Sequence, residues 1–593
     1  MLSAPPLGGC SGKIGDLPGG SGQPATPGSG SGSGSGIGSK PFAFTCDAQK
    51  PLALFTTDLR RLSKTQLRYA VSDLLATLLG PSEASAADQA LAPHFALVPD
   101  DITTKHSAYA RMDHTVSQSH VAAYYRVALN VAGELSRSNA RVARAVGSCA
   151  TDNNPRNDAR CIDDFIARFG RLAFRRPLTR AEAAFFRRDV YKAAGYDADA
   201  LRDLVTAMLS APPFLYVFER GQPEPVDAAA RVYRLTAHEL ATRLSLHFWQ
   251  SLPDAALLAA ADDGSLLTDA GYKAQVGRLL ADARSERASR AFFSQWLDVA
   301  QVPDMARNVT RKDFAAYAGS DTPGPALREH IIADVQAMLR YYTHQKPDST
   351  LADLLLSRRA FAQHDDVARL YGVPVWDGKS EPPTVADSRR VGLLTRVAFL
   401  VNDQAMTRPI MRGAFVLDRL LCQSIELPDM QNDVRLEPGT AAQGTRAQIE
   451  RLTQAKGSIC AGCHDVINPV GFVFEGFDAL GRSRSREKVY DPTEGTLLAE
   501  LPVDTRVTLT AGGLGERDIS RPEQLAQALL DSGRVQACLA RHYFRFTFAR
   551  DEDATRDGCL LERLRDALVK GSLRGMLQAI AHEDAFKLVR KAP

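Results

Sequence analysis

SKTQLRYAVSDLLATLL, residues 63–79, decides the fold class of this chain, because it carries two independent marks of an α-helix. Ser63 and Gln66 form a capping box, in which a hydroxyl and an amide satisfy backbone donors that the first turn of a helix leaves unpaired. Apolar side chains then recur at helical spacing in one stripe, which consists of Leu67, Val71, Leu74, Leu75 and Leu78. We therefore expect an amphipathic helix over this stretch.

The same marks recur along most of the chain. Further capping boxes are predicted at three pairs of residues: Thr179 with Glu182, Thr236 with Glu239, and Ser520 with Glu523. Apolar runs at helical spacing predict helices over 163–176, 201–209, 237–249, 271–283, 288–296 and 327–342. The region 489–510 contains VDTRVTLT, whose alternation and β-branched residues favour a small β insertion. The predicted fold class is mainly α, with several helical modules and one small β insertion beside the motif described below.

Length and composition limit the functions to consider. The 593 residues exceed what one hydrophobic core supports, so several domains are expected. A composition of 45% hydrophobic and 24% charged residues is ordinary for a soluble globular protein. The formal net charge of +3 gives no electrostatic reason to expect a nucleic acid as partner. No uncharged apolar run reaches roughly 18 residues, so we expect no transmembrane helix.

The stretch ICAGCHDVINPVGFVFEGFDALGR, residues 459–482, carries the chemistry that stands out. Cys460, Cys463 and His464 form a C-x-x-C-H pattern. Two thiols about one helical turn apart can each add across a vinyl group of the same haem, and the imidazole that follows is then placed to bind the iron. The pattern predicts one covalently bound haem c, with His464 as the axial ligand.

Three other interpretations of the cysteine pair stay open. A structural zinc site needs four ligands, and the chain has no second C-x-x-C pair. A thioredoxin-like redox pair would follow a strand, whereas the preceding segment GTRAQIERLTQAKGS reads as a helix and a turn. A simple structural disulfide is the third. The histidine that directly follows the pair favours haem over all of them.

The chain resembles a family of large multi-module proteins of planctomycetes and myxobacteria. CAGCHDVINPVGFVFEGFDALGRSR, residues 460–484, resembles the haem-motif module of these proteins. Five other stretches resemble, in the family's order, its three helical modules, the lead-in to the haem module and the closing module: LRRLSKTQLRYAVSDLLA, FGRLAFRRPLTRAEAAFF, LTAHELATRLSLHFWQSLPDAALL, RGAFVLDRLLCQSIELPDM and CLARHYFRFTFAR. Most modules of this family are domains of unknown function. The resemblance therefore implies an architecture and a c-type haem, and it implies no reaction.

Two positions depart from the family pattern. Asn468 stands before Pro469 where the family usually has Asp, and Ile467 stands where it often has Met, three residues after the haem histidine. Ile467 cannot bind iron, so a sixth ligand has to come from elsewhere. The candidates are Met430, Met406, Met411 and His542, and a vacant or water-bound position is the remaining alternative.

The segment after the motif is expected to pack around the haem. Phe472, followed by Phe474 and Phe477, would supply apolar cover. Arg482 and Arg484 are candidates to pair with the haem propionates, because a guanidinium matches a carboxylate in a bidentate fork. The alternative is that the two arginines are simply exposed.

These motifs divide the chain into six predicted parts. The division is 1–45, a lipobox-like start and Gly/Ser-rich tether; 46–148, 149–230 and 231–385, three helical modules; 386–515, the haem-motif module with the β element; and 516–593, a C-terminal helical module.

The first residues bear on localisation. Leu7-Gly8-Gly9-Cys10 fits a bacterial lipobox, and a Gly/Ser tract follows it. A signal peptide needs a basic region and an apolar region, and the nine uncharged residues before Cys10 provide neither. We therefore expect a longer precursor, in which the signal precedes Met1. The prediction is an exported protein, periplasmic or at the cell surface, most simply an outer-membrane lipoprotein held to the membrane by lipid on Cys10. The alternative is a disordered tail with an incidental cysteine.

Six further cysteines suggest a disulfide framework in an oxidising compartment. Cys149 and Cys161 bracket a short polar loop and would close it. Cys538 and Cys559 flank a hairpin-like stretch, which would leave Cys46 and Cys422 to each other. Buried thiols are the alternative reading of all six.

The predicted function is electron transfer through one covalently bound haem, to a redox partner protein or an envelope cytochrome. Two alternatives stay open. One is a haem enzyme of peroxidase or oxidase type, and the other is an extracellular binding scaffold with a structural haem. A strong protein ligand at the sixth iron position favours transfer, and an open position favours chemistry on oxygen or peroxide. Whether the protein is an enzyme is not decided by the sequence.

Overall fold

A computed structural model describes residues 14–15, 42–47, 54, 59–102, 112, 114–152, 154–425, 443–454 and 460–591. The chain forms two compact units. The larger unit comprises Met1–Pro51 and Arg290–Ala579, and the smaller unit comprises Leu52–Ser289 and Ile580–Pro593. Both are built mainly from helices with small antiparallel sheets, which confirms the predicted mainly α class. In the described residues, no helix is both long and apolar enough to cross a membrane.

The smaller unit is a set of helices with two small sheets. Its α-helices are Lys64–Leu79, Pro81–Ala96, Gln118–Leu135, Asn139–Ala145, Pro155–Phe174, Arg180–Phe185, Ala198–Ser210, Pro212–Leu215, Ala237–Trp249, Ala255–Asp262, Asp269–Ala281 and Asp584–Lys587. One sheet pairs Arg60–Arg61 with Tyr216–Val217, and the other places Val232–Arg234 between Pro225–Asp227 and Leu588–Arg590. All pairings are antiparallel.

The helix predicted from residues 63–79 begins and packs as expected. It runs over Lys64–Leu79, and Ser63 and Gln66 make the capping box. The five apolar residues of its stripe are buried in a core that it shares with the other helices of the smaller unit. The boxes of Thr179 and Thr236 also form. The apolar period and the caps therefore place these helices correctly.

Other boundaries differ from the prediction. The helix expected over 163–176 begins at Pro155 and ends at Phe174, because Arg175 adopts the left-handed conformation with φ 60°. The predicted capping box of Ser520 with Glu523 does not form. That helix begins at Pro522, and Gln524 accepts the backbone N–H groups of Ser520 and Arg521 instead.

The larger unit contains the sequence motif. Its α-helices are Lys312–Ala318, Leu327–Arg340, Leu351–Leu356, Asp365–Tyr371, Val397–Leu400, Pro409–Phe415, Thr445–Thr453, Ala461–Phe472, Pro522–Asp531, Arg534–Phe548 and Gly558–Lys570. Two further helices, Ser285–Trp296 and Leu573–His582, contain residues of both units, because the chain passes from one unit to the other within each of them. The predicted β insertion is present as two antiparallel pairs, Arg486–Tyr490 with Leu497–Pro502 and Val507–Leu509 with Arg517–Ile519. A short pair joins Ile14–Gly15 to Ser424–Ile425.

Three disulfides pair the six further cysteines. Cys149–Cys161 closes the short loop that the sequence predicted. The other two pairings were predicted wrongly, because the bonds are Cys46–Cys559 and Cys422–Cys538. Cys538 and Cys559 are close in sequence, but helix Arg534–Phe548 turns Cys538 towards Cys422, which follows the turn Val416–Leu420.

Candidate functional site

The cysteine-histidine motif forms the first turn of one helix of the larger unit. Cys460 is the N-cap of helix Ala461–Phe472, and the backbone N–H groups of Cys463 and His464 both donate to its carbonyl oxygen, at 3.3 and 3.1 Å. Both cysteines are half-buried, and neither is among the six that form disulfides. One turn of helix thus carries two thiols and an imidazole, which are the residues that could hold a haem.

A chain of three hydrogen bonds fixes the ring of His464. Its Nδ1 lies 3.0 Å from Oδ1 of Asn468, and Nδ2 of Asn468 donates to Oγ1 of Thr453 at 2.9 Å. The Thr453 hydroxyl donates to the carbonyl oxygen of Ile449 at 2.7 Å. A carbonyl can only accept, so this last bond defines the direction of the others.

The direction of this chain determines where the histidine carries its proton. Because the Thr453 hydroxyl gives its hydrogen to Ile449, its oxygen accepts from the amide nitrogen of Asn468. The amide oxygen of Asn468 therefore faces His464, and Nδ1 of the ring must donate to it. In the neutral ring, Nε2 is left with the lone pair that binds a metal ion.

Close backbone contact holds the motif helix in place. It packs against helix Pro409–Phe415, and a glycine stands on each side of the contact. A Cβ added to Gly471 would lie 2.0 Å from the carbonyl oxygen of Pro409, and one added to Gly413 would lie 2.2 Å from that of Ile467. Only glycine allows this separation, so the two residues set the position of the helix.

A buried ion network shapes the segment that follows the helix. The Glu475 carboxylate, 2% exposed, accepts from Thr407 at 2.7 Å, from Arg484 at 2.8 Å and from Arg412 at 3.3 Å. Burial raises the pKa of Glu475 above its ordinary value, while the two guanidinium groups oppose that rise. Arg412 also donates to four backbone carbonyls, those of Leu400, Phe474, Phe477 and Asp478.

Arg482 and Arg484, the predicted propionate partners, have carboxylate partners of their own. Arg482 donates to Asp478 at 2.7 Å and to Asp321 at 3.0 Å. The Arg484 side chain is 9% exposed and is bound to Glu475. The structure thus gives both arginines a role in holding the turn 474–484, and the propionate assignment stays a prediction.

Phe472, the predicted apolar cover, is 2% exposed, and Phe474 and Phe477 are buried as well. The Arg446 guanidinium lies over the Phe472 ring, 4.9 Å from its centre. Helix Thr445–Thr453 therefore contacts the motif helix through Phe472 at one end and through Asn468 at the other. Cover of a haem by these rings stays a prediction.

Met430 and His542, two of the candidates for the sixth ligand, fall in different parts of the chain. Met430, like Cys10, lies outside the described residues. His542 is 2% exposed, and its Nε2 lies 3.4 Å from Sγ of Cys422, within the Cys422–Cys538 disulfide. Burial, helped by neighbouring arginines, lowers the pKa of His542 well below its ordinary value, so the ring is neutral. The structure places His542 against a disulfide, and its role as an iron ligand stays a prediction.

Cys422, Cys538 and His542 also form a cluster of metal-ligand atoms. The ligand atoms lie within 4.8 Å of one another, and no other such group of three occurs in the part of the chain that the structure describes. The two sulfurs are bonded to each other, so they offer no thiolate to a metal. The cluster is a buried disulfide with a histidine packed against it.

Several residues of the site were not predicted from the sequence. Thr453 lies fifteen positions before Asn468, and nothing in the local sequence links the two. Arg412 and Gly413 lie in the RGAF stretch noted above, but the partners that explain them are about sixty residues away. The only local signal was an arginine followed by a glycine, and this pair does not indicate which residues they contact.

Comparison with protein families finds three matches, all described as proteins of unknown function. They are DUF1595 at residues 161–219, DUF1592 at residues 235–373 and DUF1588 at residues 390–487. The chain is thus a multi-module protein that contains domains of unknown function. The motif helix, its hydrogen-bond chain and the Arg412 network all lie inside the third match.

Searches of curated proteins and of solved structures found no match. Domains of the three kinds are found in a cytochrome c-like multi-domain family, which is consistent with a cytochrome-like protein.

Proposed function

We propose that this protein is an exported c-type cytochrome that transfers electrons through one haem, attached to Cys460 and Cys463 and bound at the iron by His464. When bound, the haem supplies a one-electron iron couple. The observation that carries the proposal is the hydrogen bond from His464 Nδ1 to Asn468 at 3.0 Å, which leaves Nε2 with the lone pair. A metal-ligating histidine commonly has its other nitrogen held in this way.

The packing of the motif helix supports electron transfer. Gly413 and Gly471 bring it into backbone contact with one helix, and Asn468 ties it to a second through Thr453. An axial ligand on so constrained a helix moves little when the iron changes charge. The residues of this chain thus supply a fixed ligand, which a carrier needs.

The sixth ligand separates this proposal from a haem enzyme. The contacts of His542 with the Cys422–Cys538 disulfide favour Met430 over His542 for that position, because His542 would have to leave a buried site to reach iron. A bound methionine keeps small ligands from the iron. An open position would support the enzyme alternative.

A redox titration of the matured protein tests the function. We expect one reversible one-electron transition, a near-infrared sulfur-to-iron band in the ferric state, and no rapid carbon monoxide binding in the ferrous state. His464→Ala should lose the reversible couple, whereas Val375→Ala, at an exposed apolar residue of the larger unit, should keep it. Rapid carbon monoxide binding without the sulfur band would defeat electron transfer and favour a haem enzyme.

We further propose that the protein is a lipoprotein of the outer membrane, acylated on Cys10, and that it meets its redox partner there. Three disulfides support export, because disulfides persist mainly in oxidising compartments. In the native cells, a clickable palmitate analogue should label the wild-type protein, and Cys10→Ser should abolish the label. An unlabelled wild-type protein in the membrane fraction would rule out the anchor.

A further inference from the structure

Asn468 is the residue through which the protein holds the proton-bearing nitrogen of His464. Its side chain is completely buried, so no water competes for either end of the amide. Each end has a partner of opposite kind, since Oδ1 accepts from His464 and Nδ2 donates to Thr453. Thr453, 9% exposed, is itself anchored on Ile449. The amide therefore has one orientation.

The chemical kind of this acceptor matters as much as its position. A carboxylate opposite Nδ1–H draws the proton towards itself and gives the ring imidazolate character, which strengthens its donation to a metal. A neutral amide accepts the same hydrogen bond and adds no charge. Because a more basic ligand stabilises the more highly charged ferric iron, the acceptor controls the reduction potential.

We propose that Asn468 is a positioning residue that fixes His464 in the tautomer protonated on Nδ1 and thereby holds the reduction potential above the value that a carboxylate at this position would give. The claim about the reduction potential rests on the proposed function, because it needs a haem at this site. The claim about the position of the proton concerns the protein without haem and is tested separately.

The proton position can be measured on the protein without haem. In protein labelled with ¹⁵N-histidine, with the signal assigned by its loss in His464→Gln, neutral His464 should show a protonated Nδ1 and an unprotonated Nε2. Asn468→Leu should remove this preference. Thr453→Val should weaken it, and Thr453→Ser, which restores the hydroxyl, should recover it. A neutral ring protonated on Nε2 in the wild type would overturn the assignment, whether or not haem is ever attached.

The potential is measured on the matured protein. Asn468→Asp should keep covalent haem and shift the ferric-to-ferrous equilibrium at least about tenfold towards ferric, which is about 59 mV for one electron. Gln454→Glu adds the same charge nearby, at a residue whose side chain bonds Asp465 rather than His464, and should shift it far less. Equal shifts in the two variants would show that any added negative charge nearby changes the potential, whichever residue carries it, and would overturn the proposal. Absence of haem in the wild type would instead refute the proposed function and leave the ¹⁵N result standing.

Discussion

Replacement of Arg412 by methionine should lower the free energy of unfolding of the larger unit by about 3–5 kcal/mol. The change removes one of two guanidinium groups from the buried carboxylate of Glu475, and it removes the donors of four backbone carbonyls in the same step. Methionine fills most of the volume of the arginine side chain, so the decrease in stability measures mainly the lost polar contacts. Native-state hydrogen exchange of helix Ala461–Phe472 measures it within that unit.

Two further variants make the Arg412 result specific. Arg412→Met with Glu475→Gln should recover part of the loss, because the double change leaves a neutral group in place of a poorly compensated charge. Arg408→Met breaks only a half-exposed ion pair with Asp403 and should change stability by about 1 kcal/mol or less. If Arg412→Met destabilises no more than Arg408→Met, the network does not hold the turn after the motif.

Replacement of Gly471 by alanine should destabilise the larger unit by about 3 kcal/mol and displace the motif helix. The new Cβ would lie 2.0 Å from the carbonyl oxygen of Pro409 and 2.6 Å from its carbon, so the backbones have to separate. The atoms in the way belong to the backbone of Pro409, which cannot move aside as the end of a long side chain can. In the matured protein the same shift should disturb the His464 ligand and therefore its absorption spectrum.

Gly462 provides the matched control in the same helix. A Cβ there meets nothing within 4 Å, so Gly462→Ala should be neutral or stabilising by up to about 1 kcal/mol, as expected for alanine in a helix. Urea unfolding and hydrogen exchange of Ala461–Phe472 compare the two. Equal stability of Gly471→Ala and Gly462→Ala would mean that the helix contact is not as close as described.

Local sequence was enough for the helices and for the motif. The capping box of Ser63 and the stripe that follows it rest on residues within a few positions of one another, so periodicity could find them. The same holds for Cys460, Cys463 and His464, which occupy a single turn. The Cys149–Cys161 bond, which closes a loop with a sequence separation of 12, was predictable for the same reason.

Contacts between residues far apart in the sequence could not be predicted from local patterns. The Cys46–Cys559 and Cys422–Cys538 bonds join residues 513 and 116 positions apart, and only the packing of helices decides between the possible pairings. Asn468 departs from the family pattern, but its hydrogen bonds depend on Thr453, which lies in another helix. Arg484 was predicted from its charge to meet a haem, and Glu475, nine positions earlier, accounts for its position in the structure.

The intact mass of the denatured protein, after expression with a haem-attachment system, tests the central claim most directly. The wild type should exceed the mass of the polypeptide by one haem. Cys460→Ala with Cys463→Ala should have the polypeptide mass alone, whereas the matched double change Cys149→Ala with Cys161→Ala, which removes a disulfide of the smaller unit, should keep the haem. A wild-type protein with the mass of the polypeptide alone, while a known c-type cytochrome matures in the same cells, would contradict the account.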